Sequence, residues 1–363
     1  MSQENFDQQM MQRCLTLARK ASGYTSPNPM VGAIVVKNGQ VIGEGFHFKP
    51  GEPHAEVFAL RDAGENAAGA TVYVNLEPCN HYGRTPPCTK ALIAARVAKV
   101  VVGIVDPNPL VSGKGIAKLR DAGIEVKVGV EEIACRRLNE AFCHRIVHHK
   151  CFGILKYAMT LDGKIATSTG HSAWVTGTTS RQLVHQTRAG CDAVIVGGNT
   201  VRRDNPHLTV HEATGRNPLR VVMSRNLHLP QEANLWNVNI APTLVFTEWG
   251  QNPSLQADLR NKGVEVLELS PLTPSQVMDV LYERQLSRIL WECGGVLGAQ
   301  AIREGVIQKI MAFIAPKIIG GVSAASPVGD LGLEKMSDAL SLQDVTIRQI
   351  DQDMLVEGYL KKI

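Results

Sequence analysis

The sequence predicts an α/β protein of two successive domains, and three observations lead to that prediction. A chain of 363 residues exceeds the usual size of one domain, so about two are expected. Strand and helix patterns alternate, stop at a basic, histidine-rich stretch at 144–150, and then begin again. The last part has strand patterns only, which favours a mixed sheet in the second half. We therefore place the domains at residues 1–148 and 149–363.

The first half is expected to form a three-layer α/β unit. Apolar residues recur at helical spacing between Phe6 and Ala21, which indicates an amphipathic helix. A β-hairpin follows, with its turn at 37–39, and Pro53 suits the first turn of the next helix. Further strands are expected at 71–75, 99–105 and 124–128, and further helices at 88–96, 116–122 and 131–144.

The second half is expected to form a mixed sheet rather than a pure Rossmann unit. Strands are predicted at 152–158, 193–196, 219–223, 243–246, 264–269, 289–291 and 310–315, with two more after residue 340. Helices are predicted at 179–188 and 274–284.

Composition favours a globular protein of a reduced, cytoplasmic compartment. The apolar fraction of 44% is ample for two cores, and the net charge of +4 is spread along the chain. No concentrated basic stripe suggests nucleic-acid binding, and no apolar run approaches the length of a membrane span. Eight cysteines without a dense framework fit a reduced compartment, and the polar first residues are unlike a signal peptide.

Four residues, His54, Glu56, Cys79 and Cys88, have the composition of a catalytic zinc site. Zinc takes imidazole and thiolate ligands, and a catalytic site uses three of them while leaving a fourth position for water. His54, Cys79 and Cys88 are the expected ligands, and the metal lowers the pKa of its water. Glu56 is expected to shuttle protons, as the glutamate of zinc deaminases does.

A structural zinc knot is the alternative for this motif. The two cysteines are separated by residues 80–87, more than in the common Pro-Cys-x-x-Cys form, and His81 could supply a fourth ligand. Glu56 has no purpose in such a knot or in an inactive zinc scaffold, which favours catalysis. A nucleic-acid deaminase would share the zinc site but needs a basic groove and aromatic side chains, and only 5% of residues are aromatic.

Two glycine-bearing turns, at 196–200 and 292–295, favour a nucleotide cofactor in the second half. Glycine lets the backbone approach a phosphate, and a helix N-terminus offers N–H donors. Two such turns suggest a dinucleotide, although either could serve packing and neither is a Gly-x-Gly-x-x-Gly fingerprint. Trp174 could stack on a ligand or belong to the core.

Arginines, whose planar fork suits phosphate, crowd this region, and two or three of them are expected to touch ligand. They are Arg188, Arg202, Arg203, Arg216, Arg220 and Arg225. Ser224 and Arg225 directly follow a predicted strand and are the expected contacts of a nucleotide 2′-phosphate, which would make the cofactor NADPH rather than NADH.

The motifs resemble those of a known family. Segments 25–32, 45–47, 54–56 and 77–88 are similar to the riboflavin-biosynthesis branch of the cytidine and deoxycytidylate deaminases, where a long cysteine loop is expected. Segments 156–164 and 204–209 are similar to its dihydrofolate-reductase-like partner domain. The whole chain thus resembles the bifunctional deaminase–reductases of riboflavin biosynthesis.

The resemblance implies two consecutive reactions, one zinc ion per chain, NADPH and a homo-oligomer, either dimer or tetramer. The first is hydrolytic deamination of 2,5-diamino-6-(5-phosphoribosylamino)pyrimidin-4-one. In the second, NADPH reduces the ribosyl side chain to ribityl. In the deaminase half, the resemblance implies that Asn28, His47, His81 and Arg84 line the substrate site.

The resemblance also implies the ligand contacts of the reductase half. For NADPH they are Ala158, Trp174, Thr200, Asp204, Gly294, Gly295, Val296, Leu297, Gly298, Ala299 and Gln300. For the substrate they are Lys156, Ser172, Arg188, Leu208, His211 and Glu292. His211 stands where the resemblance predicts arginine, and it is a shorter and weaker cation for a phosphate.

Overall fold

The computed structural model describes residues 2–83, 85–109 and 111–361. It divides into two compact units, Met1–His149 and Lys150–Ile363, one residue after the boundary expected from the sequence. Each unit has its own sheet and its own buried apolar cluster.

The first unit is a five-stranded sheet of order β2-β1-β3-β4-β5. Its elements are α1 (Gln3–Arg19), β1 (Gly32–Lys37), β2 (Gln40–Phe46), α2 (Ala55–Ala63), β3 (Thr71–Leu76), α3 (Cys88–Ala94), β4 (Lys99–Ile104), α4 (Lys114–Asp121), β5 (Glu125–Val128), α5 (Glu132–Leu138) and α6 (Glu140–His148). Strand β1 is antiparallel to both neighbours, whereas β3, β4 and β5 are parallel. Helices α1 and α5 pack together against strands, and α2, α3 and α4 form a second connected group.

Glycine fixes the position of α2 against the hairpin. A Cβ atom on Gly45 would lie 2.4 Å from the carbonyl oxygen of Ala55, and one on Gly43 would lie 2.3 Å from that of Ala59. A larger residue at either of these two positions would push the helix away. The close approach places the first turn of α2, and with it Glu56, beside the sheet.

The single helix predicted at 131–144 is wrong, because α5 and α6 are separated at Asn139. The buried side chain of Asn139 accepts a hydrogen bond from the Met30 N–H at 2.8 Å and donates one to the Met30 carbonyl at 3.0 Å. This contact with a distant segment coincides with the end of the helix, and periodicity along the chain does not reveal it.

The second unit is a nine-stranded sheet of order β10-β9-β8-β7-β11-β6-β12-β14-β13. Its elements are β6 (Phe152–Thr160), α7 (Thr178–Ala189), β7 (Ala193–Gly197), α8 (Gly198–Asp204), β8 (Leu219–Met223), β9 (Thr243–Glu248), α9 (Pro253–Asn261), β10 (Glu265–Leu269), α10 (Pro274–Glu283), β11 (Arg288–Trp291), α11 (Gly295–Arg303), β12 (Lys309–Ala315), β13 (Leu342–Ile350) and β14 (Asp353–Leu360). Strands β6 to β12 are mutually parallel, whereas β14 pairs antiparallel with β12 and β13.

The sheet order brings several predicted site residues to one edge. Trp291 at the end of β11 pairs with Leu155 of β6 and with Ile195 of β7. The residues that follow these positions therefore emerge together at the carboxyl edge of the sheet, where open α/β sheets bind ligands. Among the described helices, none has the combined length and apolar character needed to cross a membrane.

Candidate active sites

The three expected metal ligands of the first unit lie together. The ligand atoms of His54, Cys79 and Cys88 are all within 4.8 Å of one another. His54 Nδ1 is 3.2 Å from Cys88 Sγ and 3.4 Å from Cys79 Sγ. Within the described ranges, no fourth histidine, cysteine or acidic side chain joins them, His81 included. Three ligands with an open position fit a catalytic zinc site better than a structural knot.

Secondary structure positions each of these ligands. His54 is the residue that precedes α2, Cys79 follows the end of β3, and Cys88 is the first residue of α3. The Cys88 N–H donates to Cys79 Sγ at 3.3 Å, and the Thr85 hydroxyl lies 3.3 Å from His54 Nε2. The second ring nitrogen is thus oriented by an outer partner, as in most metal-binding histidines.

The protonation of the two sulfurs fits a divalent cation. A hydrogen bond from the Cys88 thiol, together with the neighbouring His54, lowers the pKa of Cys79 to about 4. The same hydrogen bond and burial raise the pKa of Cys88 well above its ordinary value. Two sulfurs that share one proton form a site that a bound zinc ion deprotonates fully.

Glu56 lies inside this group without being one of the three ligands. It is only 3% exposed, and its position in the first turn of α2 places it close to His54. Burial, with the negative charge of Cys79, raises the pKa of Glu56 to about 7. A carboxyl group with that pKa can take up and release a proton near neutral pH.

Two of the residues predicted to bind the deaminase substrate contact each other. Asn28 Nδ2 lies 3.0 Å from His47 Nε2, and His47 Nδ1 lies 3.2 Å from the Pro53 carbonyl oxygen. The His47 ring is 5.3 Å from the His54 ring, and burial lowers the pKa of His47. His81 is exposed on the loop between the cysteines, and Arg84 lies outside the described residues.

Glu77 has a role that the sequence did not reveal. Its carboxylate accepts four backbone hydrogen bonds, from Asp106 at 3.1 Å, Gly113 at 2.9 Å, Gly115 at 2.9 Å and Ile116 at 3.2 Å. The start of α4 and the segment after β4 are therefore held against the residues that precede Cys79. Burial raises the pKa of Asp106, and Cys79 and His81 are among the charges that act on it.

A charged triad occupies the carboxyl edge of the second sheet. Arg188 donates to both oxygens of Glu292, from Nε at 2.5 Å and from a terminal nitrogen at 3.0 Å. Lys156 Nζ is 3.5 Å from Glu292. Burial alone would raise the pKa of Glu292. The positive charges of Arg188 and Lys156 outweigh burial and lower this pKa to about 2. The structure thus brings together three predicted substrate contacts from β6, α7 and the end of β11.

The predicted cofactor contacts lie around the same edge. The Ser172 hydroxyl donates to Asp204 at 3.1 Å, which joins a predicted substrate contact to a predicted cofactor contact. Ala158 lies on β6, Thr200 on α8, and Gly294–Gln300 form the residue before α11 and its first turns. A Cβ atom on Gly197 would lie 3.4 Å from Leu297, so the two glycine turns are neighbours.

The glycine turns fit a dinucleotide. Helix α8 follows Gly197 and helix α11 follows Gly294. Because glycine has no side chain, neither residue accepts a hydrogen bond from the first N–H groups of its helix. A Cβ atom on Gly295 would lie 2.6 Å from the Ser326 carbonyl oxygen, so only glycine fits there. The close approach at Gly295 is to the protein's own backbone and serves packing, whereas the uncapped N–H groups at the starts of α8 and α11 suit a pyrophosphate. Ser224 is buried beside Gly198, whereas Arg225 is exposed.

Three other candidate residues of the second unit differ in how far they are buried: Arg220, Leu208 and His211. Arg220 is fully buried, and its guanidinium donates to backbone carbonyls that include those of Leu235 and Ala241, so it belongs to the core. Leu208 is buried, with only 3% of the residue exposed. His211 is exposed, and its ring stacks on the His185 ring with a centroid distance of 4.3 Å. The buried part of the ring and the nearby positive charge of Arg188 both lower the pKa of His211.

Comparison with known proteins agrees with these two sites. Residues 4–104 match the zinc-binding region of the cytidine and deoxycytidylate deaminases, and residues 151–356 match the RibD C-terminal domain. The chain is 60% identical to the riboflavin biosynthesis protein RibD of Synechocystis, over 98% of this chain and 96% of that protein. The chain belongs to the RibD family.

Solved structures of RibD proteins have the same fold over the whole chain. The Acinetobacter baumannii RibD structure aligns with a TM-score of 0.87 at 40% identity and covers 99% of this chain and 100% of its own. A diaminohydroxyphosphoribosylaminopyrimidine deaminase/5-amino-6-(5-phosphoribosylamino)uracil reductase from Thermotoga maritima aligns with a TM-score of 0.87 at 36% identity, with the same coverage.

Membership of the RibD family confirms the predicted fold class and cofactors. The chain is a bifunctional deaminase and reductase of riboflavin biosynthesis. Its first half is a cytidine-deaminase-like domain that uses zinc, and its second is a dihydrofolate-reductase-like domain that uses NADPH.

Proposed function

We propose that residues 1–148 deaminate 2,5-diamino-6-(5-phosphoribosylamino)pyrimidin-4-one, and that residues 149–363 then reduce the ribosyl side chain of the product to ribityl. The observation that carries the first activity is the three-ligand group of His54, Cys79 and Cys88 with buried Glu56 beside it. The two activities that name the Thermotoga maritima relative support this choice of substrate.

In the deaminase unit, Glu56 moves the proton. Zinc, held by His54, Cys79 and Cys88, supplies Lewis-acid activation of water at neutral pH. Glu56 takes a proton from the attacking water and delivers it to the leaving amino group, so that ammonia departs. Asn28 and His47 orient the pyrimidine ring, His81 is a further contact of the substrate, and the positive charge of Arg84 suits the substrate phosphate.

In the reductase unit, the triad of Lys156, Arg188 and Glu292 binds the phosphoribosyl chain, with Ser172, Leu208 and His211 around it. NADPH supplies the hydride. The uncapped starts of α8 and α11 would hold its phosphates, and Trp174, Asp204 and Arg225 would hold the rest of the cofactor. The buried Glu292 carboxylate holds the two cations in place, because it satisfies both of them at once.

The edge of the second sheet supports a homo-oligomer. Strand β13 lies at the end of the sheet order, and its apolar side chains Val345 and Ile347 are exposed, the latter by 67%. Exposed apolar residues on an edge strand favour association with another copy, as a dimer or tetramer. The eight cysteines form no dense framework in the sequence, which supports a cytoplasmic location.

The test is to supply the diaminopyrimidine phosphate with and without NADPH and to identify both products. Deamination alone is expected without NADPH, and the ribityl compound is expected with it. A Cys79→Ser variant should release no ammonia but should still reduce a supplied aminouracil substrate. If the folded variant loses both activities, or if a zinc chelator leaves ammonia release unchanged, the two-site assignment is wrong.

A further inference from the structure

Trp174 is an exposed aromatic residue held in one orientation by its surroundings. Its side chain is 71% exposed, in the segment between β6 and α7. The guanidinium carbon of Arg181 lies 4.7 Å from the centre of the Trp174 ring, which is cation–π geometry. Lys317, which follows β12, donates from Nζ to the Trp174 carbonyl oxygen at 2.9 Å.

The backbone beyond Trp174 is held as well. Arg181 donates to the Thr176 carbonyl at 2.8 Å and to the Thr178 hydroxyl at 3.0 Å. The buried Asp353 carboxylate, at the start of β14, accepts from the Gly177 N–H at 2.8 Å and from the Ser180 hydroxyl at 2.6 Å. The short connection between the indole and α7 is therefore anchored from two directions.

From this geometry we propose that Arg181 is a positioning residue for NADPH binding, acting through Trp174. This inference rests on the proposed contact between Trp174 and the cofactor. Arg181 donates once to the backbone of the segment and once to the Thr178 hydroxyl, and it presents its cationic plane to the indole ring. An exposed indole without these contacts would sample several rotamers, and binding would have to order it.

Arg181 also lies on the helix that carries substrate groups. Along α7, Arg181 is followed at helical spacing by His185 and then Arg188, which binds Glu292. A substitution at Arg181 can therefore change the affinity for NADPH or the affinity for the pyrimidine substrate. Cofactor and substrate affinities must therefore be measured separately.

The experiment uses tryptophan fluorescence in a Trp249→Phe background. Trp249 is the other strongly exposed tryptophan, whereas Trp236 and Trp291 are buried. Energy transfer to bound NADPH then gives its Kd, and acrylamide quenching reports the exposure of Trp174 without cofactor. Arg181→Met keeps an unbranched apolar stem but removes the charge and both hydrogen bonds. Arg181→Lys keeps the charge, and Gln182→Met is a control at an exposed position of the same helix.

Arg181→Met should raise the Kd for NADPH about three- to tenfold, as expected for loss of a cation–π contact and of pre-organisation. It should also change acrylamide quenching. Its kcat at saturating NADPH, its KM for the pyrimidine substrate and its ammonia release should remain unchanged. Arg181→Lys should recover part of the affinity, and Gln182→Met should match the background protein.

Three outcomes would overturn the inference. If Trp174→Ala weakens NADPH binding while Arg181→Met does not, Arg181 has no positioning role. If Arg181→Met weakens NADPH and substrate equally and lowers the Tm of the reductase unit, its role is general folding. If Trp174→Ala itself leaves the Kd unchanged, the proposed cofactor contact is wrong, and the role of Arg181 is wrong with it.

Discussion

Replacing Glu77 with glutamine should loosen the zinc site without touching a ligand. Each carboxylate oxygen of Glu77 accepts two backbone hydrogen bonds. Glutamine keeps one such oxygen and turns an amide group toward the other two N–H donors. Hydrogen bonds to a charged acceptor contribute about 1.5–3 kcal/mol each, so the loss is about 3–6 kcal/mol. For a unit of this size, that lowers the Tm by about 10 °C or more.

Calorimetry of the zinc-loaded protein, with zinc release to a chelator measured in parallel, checks this prediction. Zinc should leave Glu77→Gln faster than it leaves the wild type, because the segment before Cys79 has lost its anchor. Glu125→Gln is the matched control. The Glu125 side chain is 67% exposed and pairs with Lys99, so removing its charge should cost less than about 1 kcal/mol. Equal Tm values and zinc-release rates for the two variants would refute the role given to Glu77.

Three further predictions concern chemistry and pH. Glu56→Gln should retain zinc, measured by metal analysis, but lose ammonia release; near-normal turnover would remove Glu56 from the mechanism. Arg225→Ala should weaken NADPH about ten- to a hundredfold and leave NADH nearly unchanged in nucleotide titrations; equal losses would dismiss Arg225 as the 2′-phosphate contact. Glu292 should stabilise the folded state by about 3 kcal/mol above pH 4.5, its ordinary pKa, and this contribution should disappear as pH falls through about 2. The stability difference between wild type and Glu292→Gln, from denaturant unfolding, should therefore shrink over that range; a difference independent of pH would contradict the assigned pKa.

Local pattern was sufficient for most of the strands and for the group of His54, Cys79 and Cys88 that the fold brings together. Strand β8 begins and ends where its apolar run predicts, because β-branched residues bounded by turns carry their own signal. The zinc ligands lie in two short motifs, and the strand and helix ends beside them were predicted as well. Helix α9 was not predicted, because its surface is largely polar, although Asn252 and Pro253 at its start are residues typical of a helix N-terminus.

The features that the sequence did not reveal depend on distant segments. Arg220 resembles the other arginines of its region in sequence, yet it is buried among carbonyl groups that come from residues 235–241. Glu77 was visible as part of a ligand motif, but the N–H groups that it binds lie well beyond Cys88. The contact between Arg181 and Trp174 forms because the segment before α7 turns back and places the Trp174 ring against the first turn of that helix. Periodicity describes one element at a time and cannot predict such partners.

The central position of β6 affects how the chain folds while it is being made. β6 is the first strand of its unit, but its partners β11 and β12 are Arg288–Trp291 and Lys309–Ala315. At ordinary synthesis rates, β6 leaves the ribosome on the order of 10 s before either partner. The hairpin of β1 and β2 has no such delay, because its strands are adjacent in sequence. The deaminase sheet can therefore assemble on the nascent chain while the apolar strand that begins the reductase is still unpaired and open to chaperones.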